Sequence, residues 1–304
     1  MAILQHNLAL LDSPIRLPNA QDPTNQREFG NDSYVLERAG PFEIRLASTA
    51  KELRSAQKLR YTVFYEEGGA IASQTASRQR RDICPFDAIC DHLIVIDCEA
   101  VSASSRPKAK VVGTYRLLRR EIADAHHGFY SQGEFDMRDL LARQPGTRFL
   151  ELGRSCVHAN YRSKRVIELL WRGLWLYAKQ HRIDALIGCA SLPGTDLESL
   201  RLPLSFLHHY AQASEEWQVE AWPRGDADFT PLAKDDIDVR RGLASLPPLL
   251  KAYLRTGARF SRSAVIDRQF GTTDVFTVMP MNDIEERYRS HFGEPSCVSG
   301  ASVA

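Results

Sequence analysis

The chain has 304 residues, 43% hydrophobic, 9% aromatic and 25% charged. Lysine and arginine number 39 against 38 aspartate and glutamate, so the formal net charge is +1. That balance argues against a general polyanion binder, nucleic acid included, and against charge-driven disorder in the body of the chain. The length exceeds the ~100–200 residues of a typical domain, which predicts one elaborated domain with extensions. No stretch approaches the ~20 apolar residues of a spanning helix, and the opening MAILQHNLALLDSPIRLP lacks the positive start and cleavage site of a secretory signal. Six cysteines without a CxxC pair predict reduced thiols. Together these features predict a cytoplasmic protein, and peripheral contact with the inner membrane is compatible with them.

Residues 1–40 lack a sustained period and are expected to form an extended arm; 294–304 read as a flexible tail of small residues. Between them, 41–293 is expected to be one domain. Phe42-Glu43-Ile44-Arg45-Leu46 alternates as a strand should. Thr49, three residues before Glu52, signals a capping box opening a helix of roughly four turns. Its apolar face is Leu53, Ala56, Val63 and Phe64, and Arg60 falls on that same face. DHLIVIDCEAV and Lys110–Leu118 predict an antiparallel hairpin joined through SASSRPK. A short helix (Met137 to Arg143) leads to the strand RFLELGRSCVH. From Arg165 to His181, Val166, Ile167, Leu170, Leu174 and Tyr177 recur at helical spacing, and DALIGCAS follows as a buried strand. Strand–helix–strand in that order predicts a parallel crossover. Residues 192–246 read as an insertion with at most one helix, near Ser205 to Ala213. Pro247-Pro248 opens a further helix, ended by Gly257, and SAVIDRQF and DVFTVMPM close the sheet. The fold class expected is α/β (α+β), a mixed central sheet flanked by helices.

Polar groups in apolar contexts mark the candidate site. A guanidinium at Arg60 aimed at a core needs a carboxylate partner or a ligand. Asp87 and Asp91 enter a buried strand, Arg116 sits within another, and Glu151-Leu152-Gly153-Arg154 lies in a third. Residues three apart on a regular strand face opposite sides, but a bulge at Gly153 would turn Glu151 and Arg154 into one cleft. It would also leave a backbone N–H free to stabilise an oxyanion. Taken alone, Glu151 and Arg154 fit a sheet-edge salt bridge slightly better; the other charged residues in apolar contexts favour a site. Arg162, Lys164, Arg165 and Arg172, at and beyond the start of the predicted helix, could meet a phosphate at its positive end or form a solvated face. That loop has no glycine, which disfavours a pyrophosphate cradle of coenzyme A type. The cysteines and histidines show no paired-ligand spacing, so no metal is expected. Cys156 and Cys189 lie in strands where burial disfavours a thiolate nucleophile.

The element order resembles the GNAT acyltransferase fold. Arg60 with Phe64, Phe86-Asp87 followed by Asp91, Gly113-x-x-Arg116-Leu117-Leu118 and Glu151-x-x-Arg154 resemble the signature of acyl-homoserine-lactone synthases. FYSQGEFD, ELGRSCVHANYR, LLWRGLWLY, LIGCASLPGTD, LPPLLKAYLRTGA and AVIDRQFGTTDV are similar, over residues 45 to 293, to the ornithine–acyl-carrier-protein N-acyltransferases. Where that family carries a glycine–acid–glycine turn before AVID, this chain has Ser261-Arg262-Ser263, and Gly271 stands where an asparagine is expected. The resemblance implies transfer of a 3-hydroxyacyl group from acyl carrier protein to the α-amine of L-ornithine. No bound cofactor is implied; the phosphopantetheine thioester is a co-substrate. It implies Glu151 as base with Arg154 beside it, Arg60, Phe64, Asp87, Asp91 and Arg116 for substrate, and Arg162, Lys164, Arg165 and Arg172 for the carrier. An acyl-homoserine-lactone synthase, an N-acyltransferase for another amine and a non-catalytic carrier-binding protein are the competing readings.

Overall fold

A computed structural model of the chain describes residues 35–100, 109–223 and 227–284. The expected arm up to residue 34, the SASSRPK turn, the domain end beyond 284, the tail and Cys297 lie outside these residues. The main sheet contains β1 (Val35–Ala39), β2 (Phe42–Leu46), β3 (Asp91–Asp97), β4 (Lys110–Arg119), β6 (Phe149–Val157), β7 (Ala185–Pro193), β9 (Arg259–Asp267) and β10 (Thr272–Pro280). A separate two-residue ribbon pairs β5 (Phe135–Asp136) with β8 (Glu220–Ala221). The α-helices are α1 (Ala50–Tyr61), α2 (Gln74–Gln79), α3 (Arg120–Asp124), α4 (Arg138–Arg143), α5 (Lys164–Gln180), α6 (Arg201–Tyr210), α7 (Val239–Ser245) and α8 (Pro248–Thr256). Among the described residues no helix is long and apolar enough to cross a membrane.

The sheet order is β1-β2-β3-β4-β6-β7-β10-β9, antiparallel throughout except for the β6–β7 pair. The predicted crossover is therefore present, with α5 carrying the chain from β6 to β7. The parallel pairing is short. Phe149 faces Ala185, Leu150 faces Leu186 and Glu151 faces Ile187, and beyond those pairs the two strands part. β4 remains paired to β6 through a register shift, because Thr114 faces Cys156 whereas Arg116 faces Gly153. Three steps on β6 against two on β4 make a bulge, as Gly153 led one to expect. The left-handed residue within it is Arg154, at φ +53°, rather than the glycine.

Regular structure begins earlier than Phe42, because Val35–Ala39 pair with β2 as the edge strand. The insertion also holds more than one helix: α6 and α7 both lie in it, and Leu192 and Pro193 belong to β7. The overlooked α7 has only seven residues, with a signal one turn long, the Asp238 side chain capping Arg241 N–H at 3.0 Å. At the start of α1 the Thr49 hydroxyl accepts the Glu52 N–H at 3.2 Å. The Glu52 carboxylate departs from the expected box and reaches Ser48 N–H (2.9 Å) and the Arg45 guanidinium. On α5 the predicted stripe is buried apart from Ile167, which is 43% exposed; Leu169 takes its place. Ser261-Arg262-Ser263 form a second bulge, within β9, and the Ser261 hydroxyl donates to Ser263 O (2.7 Å) while accepting from Phe276 N–H (3.0 Å). Gly271 lies in the β9–β10 turn at φ +66°, a conformation asparagine also tolerates.

The two faces of the sheet have different cores. Leu93, Val95, Tyr115, Leu117 and Leu150 meet Leu169, Leu170 and Leu174 of α5 and residues of α6 and α8. On the other face, Leu118, Phe149, Ile187, Phe276 and Val278 meet Phe129, Phe135, Met137 and Leu140 from the 120–147 segment. α1 packs on this second face, against β4 and β6. The polar site lies there.

Candidate active site

Arg60 is completely buried. Its terminal nitrogens bind both oxygens of Asp87, at 2.9 and 2.7 Å, and its Nε lies 2.8 Å from Asp82 Oδ2. Asp87 also accepts from Gln57 (2.9 Å) and Cys84 N–H (3.2 Å), and Arg116 Nη1 lies 3.5 Å away. Burial alone would raise the Asp87 carboxyl, but the charge and hydrogen bonds of Arg60, with Arg116 behind them, hold it well below the usual carboxylate range. Asp82 then joins this network to Arg154, whose Nε lies 3.3 Å from the same Oδ2. The bulge does turn Arg154 onto the face of Glu151. Its guanidinium sits 4.9 Å from the Tyr130 ring and 4.8 Å from that of Phe270. α1 continues into a π-helical turn, Thr62–Glu67, which carries Phe64 to within 5.9 Å of Phe270.

Three expected residues stand elsewhere or act differently. Glu151, expected as the base, accepts Tyr130 N–H on one oxygen (2.8 Å) and Ser131 N–H on the other (2.7 Å). Burial raises this carboxyl and those hydrogen bonds oppose the rise. A carboxylate so bound holds the turn that leads to Glu134. Glu151→Gln should therefore set an amide N–H₂ against a backbone donor and lower stability by ~1–3 kcal/mol. Urea unfolding and turnover check this together, and a variant equal to wild type in both would remove the role. Asp91 points away from Asp87, to the α5 face, where it accepts the Tyr177 hydroxyl at 2.5 Å. Strand parity explains the separation, since Asp91 shares its side of β3 with Leu93 and Val95. Arg172 pairs with Glu37 of β1 at 2.9 Å and so is tied to the sheet edge. Of the other basic residues, Arg162 pairs with Glu67, Lys164 lies 3.5 Å from Glu168, and Arg165 packs on the Gly40 turn. All three are exposed around the start of α5.

Where β6 and β7 part, a narrow cleft opens, bordered by Leu152, Gly188, Cys189, Tyr253, Thr277 and Met279. A small apolar pocket lies beyond it, between Trp171, Trp175 and Thr256, and shares Leu186 and Met279 with the first. Burial pushes the Cys156 thiol up to about 12 and raises Cys189 as well, so neither is a thiolate at neutral pH.

Several residues of this site were not singled out in the sequence: Asp82, Tyr130, Phe270, Glu134, Asp267 and Asp274. Asp82 follows a run of arginines in a polar loop, where no pattern distinguishes it from a solvated acid. Asp274 carried a usable signal, an acid inside an otherwise apolar strand. It is 6% exposed, and its carboxylate lies within 4.8 Å of those of Glu134 and Asp267.

Residues 59–172 match the acetyltransferase (GNAT) domain family. The L-ornithine N(alpha)-acyltransferase of Agrobacterium fabrum is 46% identical over 293 residues, covering 96% of this chain and 94% of that protein. The enzyme of the same name from Rhizobium meliloti is 47% identical over 261 residues, 86% of this chain and 87% of that one. The chain belongs to the L-ornithine N(alpha)-acyltransferase family. Its fold is that of a GNAT acyltransferase, a mixed sheet flanked by helices. A solved N-acyl amino acid synthase from uncultured soil microbes aligns over 80% of this chain and 93% of its own, at 11% identity and a TM-score of 0.45. The GNAT match spans Arg60, Asp82, Asp87, Arg116, Glu134 and Arg154, and it stops before Asp267, Phe270 and Asp274. Asp267 and Asp274 stand on the two strands that end the described sheet, β9 and β10.

Proposed function

We propose that this protein transfers a 3-hydroxyacyl group from acyl carrier protein to the α-amine of L-ornithine, giving a lyso-ornithine lipid, the first step of ornithine lipid biosynthesis. The observation that carries the reading is the identity to enzymes of that name over nearly the whole chain. The geometry supports it in three respects. The parting of β6 and β7 gives a thioester a place to enter the sheet, and the apolar lining of the pocket beyond matches an acyl chain in chemistry. The bulge at Gly153–Cys156 offers backbone N–H groups for the oxyanion that forms on attack. Arg154, fixed between two rings, supplies a cation for the carboxylate of the amino acid. Attack needs the neutral amine, so the α-ammonium of the free amino acid must first give up its proton, to water or to a group at the site. Addition to the thioester carbon followed by loss of the carrier thiol gives the amide.

The carrier and the phosphate of its arm would dock on Arg162, Lys164 and Arg165 at the N-terminus of α5, with Arg172 left out because Glu37 holds it. The test offers 3-hydroxyacyl carrier protein with a panel of amino acids and follows thiol release and product mass. Ornithine-dependent release of carrier thiol with N-acylornithine is the expected result. Lactone formation with consumption of S-adenosylmethionine, or a different amine as the preferred acceptor, would overturn it. In the same assay Lys164→Glu with Arg165→Glu should raise KM for the carrier about tenfold and leave that for ornithine near its original value.

A further inference from the structure

The site has an acidic end that the reaction as described does not use. Glu134 follows the Tyr130–Gly133 turn, Asp267 ends β9 and Asp274 lies on β10. One oxygen from each carboxylate falls within 4.8 Å of the others. Asp267 Oδ1 accepts the N–H groups of Gln269 and Phe270, at 2.8 and 3.0 Å. The other two are less well satisfied. Asp274 is 6% exposed, and its buried Oδ1 has no hydrogen-bond partner; buried Glu134 Oε2 has none either. Among the described residues, no lysine or arginine lies within ion-pair distance of any of the three. Burial together with mutual repulsion pushes Glu134 up to about 8 and Asp274 up to about 6. Crowded, buried carboxylates of this kind oppose folding unless a cation joins them.

The surroundings say which cation fits. Asp274 faces Ser191 across the β7–β10 pair, two residues along from Cys189, which borders the cleft between β6 and β7. The acidic group is therefore continuous with the place where a thioester would lie. Arg154, which would hold a carboxylate, sits over Phe270, and Phe270 belongs to the turn that Asp267 anchors. An amino acid lying between Arg154 and the three acids would meet a cation at one end and anions at the other.

We propose that Glu134, Asp267 and Asp274 form the subsite for the side-chain ammonium of the acceptor amino acid, and so select a diamino acid over its neutral counterpart. This rests on the acceptor reading above. An ammonium can donate three hydrogen bonds, and the orphaned oxygens of Asp274 and Glu134 each take one. Its arrival favours the ionised carboxylates, which couples binding to proton release. A neutral side chain of the same length would leave those oxygens buried and unpaired, and enzymes built to bind a polar group reject analogues that lack it by large factors.

The test compares L-ornithine with L-norvaline, the same carbon chain without the terminal amine, using wild type, Glu134→Gln and Asp274→Asn with carrier-bound acyl donor. Wild type should favour ornithine at least ~100-fold in kcat/KM. In each variant that ratio should fall by at least ~10-fold, whatever happens to the absolute rates. A wild-type ratio near one, or variants that slow both acceptors alike, would overturn the subsite while leaving the acyltransferase reading in place. Absence of ornithine turnover by wild type would overturn that reading itself and the subsite with it. Activity abolished by a chelator and restored by Mg²⁺ or Ca²⁺ would reassign the carboxylates to a metal and overturn the proposal. Should a variant fail to fold, calorimetric binding of ornithine and norvaline to wild type alone decides, because equal affinities are incompatible with an ammonium subsite.

Discussion

Arg60→Met is expected to lower the free energy of unfolding by ~3–5 kcal/mol, the loss seen when one partner of a buried ion pair is removed. The side chain has no exposed surface, and its departure leaves Asp87 and Asp82 in place without their principal counter-charge. Arg116 and Gln57 would still touch Asp87, so the network weakens rather than vanishes. Arg154 would lose its alignment too, because Asp82 connects the two arginines. Denaturant unfolding of the full chain measures the effect. A loss below ~1 kcal/mol would mean that the cluster does not support the fold. The same network sets an acid limit. Asp87 is held below its unfolded value, so its contribution is complete above the ordinary carboxylate range near pH ~4 and is lost as pH falls through and below that range. Arg60→Met should therefore lose less to acid than wild type does.

Gly188→Ala should have an effect of similar size for a different reason. Gly188 stands on β7 one residue past the last pair with β6, at φ +158°. A Cβ there would come within 2.4 Å of the Leu152 carbonyl oxygen, a backbone atom that cannot swing aside. The variant must force the two strands further apart or distort the bulge that follows Leu152, at a cost of ~2–3 kcal/mol or more. Since Gly188 also borders the cleft, KM for the acyl donor should rise about tenfold among molecules that fold. Thermal melting and steady-state kinetics read the two effects separately. Wild-type values in both would show that the strands tolerate a wider opening than the close approach implies.

Much of this architecture was legible in the chain. Apolar runs located β3 and β4, which lie between the two cores and are buried on both faces, and periodic patterns located β2, α1 and α5, where burial of one face is written in residue order. The strand–helix–strand order required the parallel crossover, and the quoted blocks indicated the family. Arg60 was recognisable as a charge that needed a partner, since a guanidinium on an apolar helix face has few other outcomes.

Which residues would meet was a different matter. Asp87 and Asp91 looked equivalent, but one belongs to a turn below α1 and the other to the α5 side of β3, and strand parity separates them. Glu151 is buried as expected, but the partners of its oxygens, two N–H groups of a turn twenty residues upstream, could not be read from its own strand. The acidic subsite draws on positions 134, 267 and 274, which no local period relates. The patterns of burial along a chain determine its elements, since each element answers to its own solvent exposure. The site depended on the bulge at Arg154, on the parting of β6 and β7, and on the antiparallel return of β9 and β10, all of which require the assembled sheet.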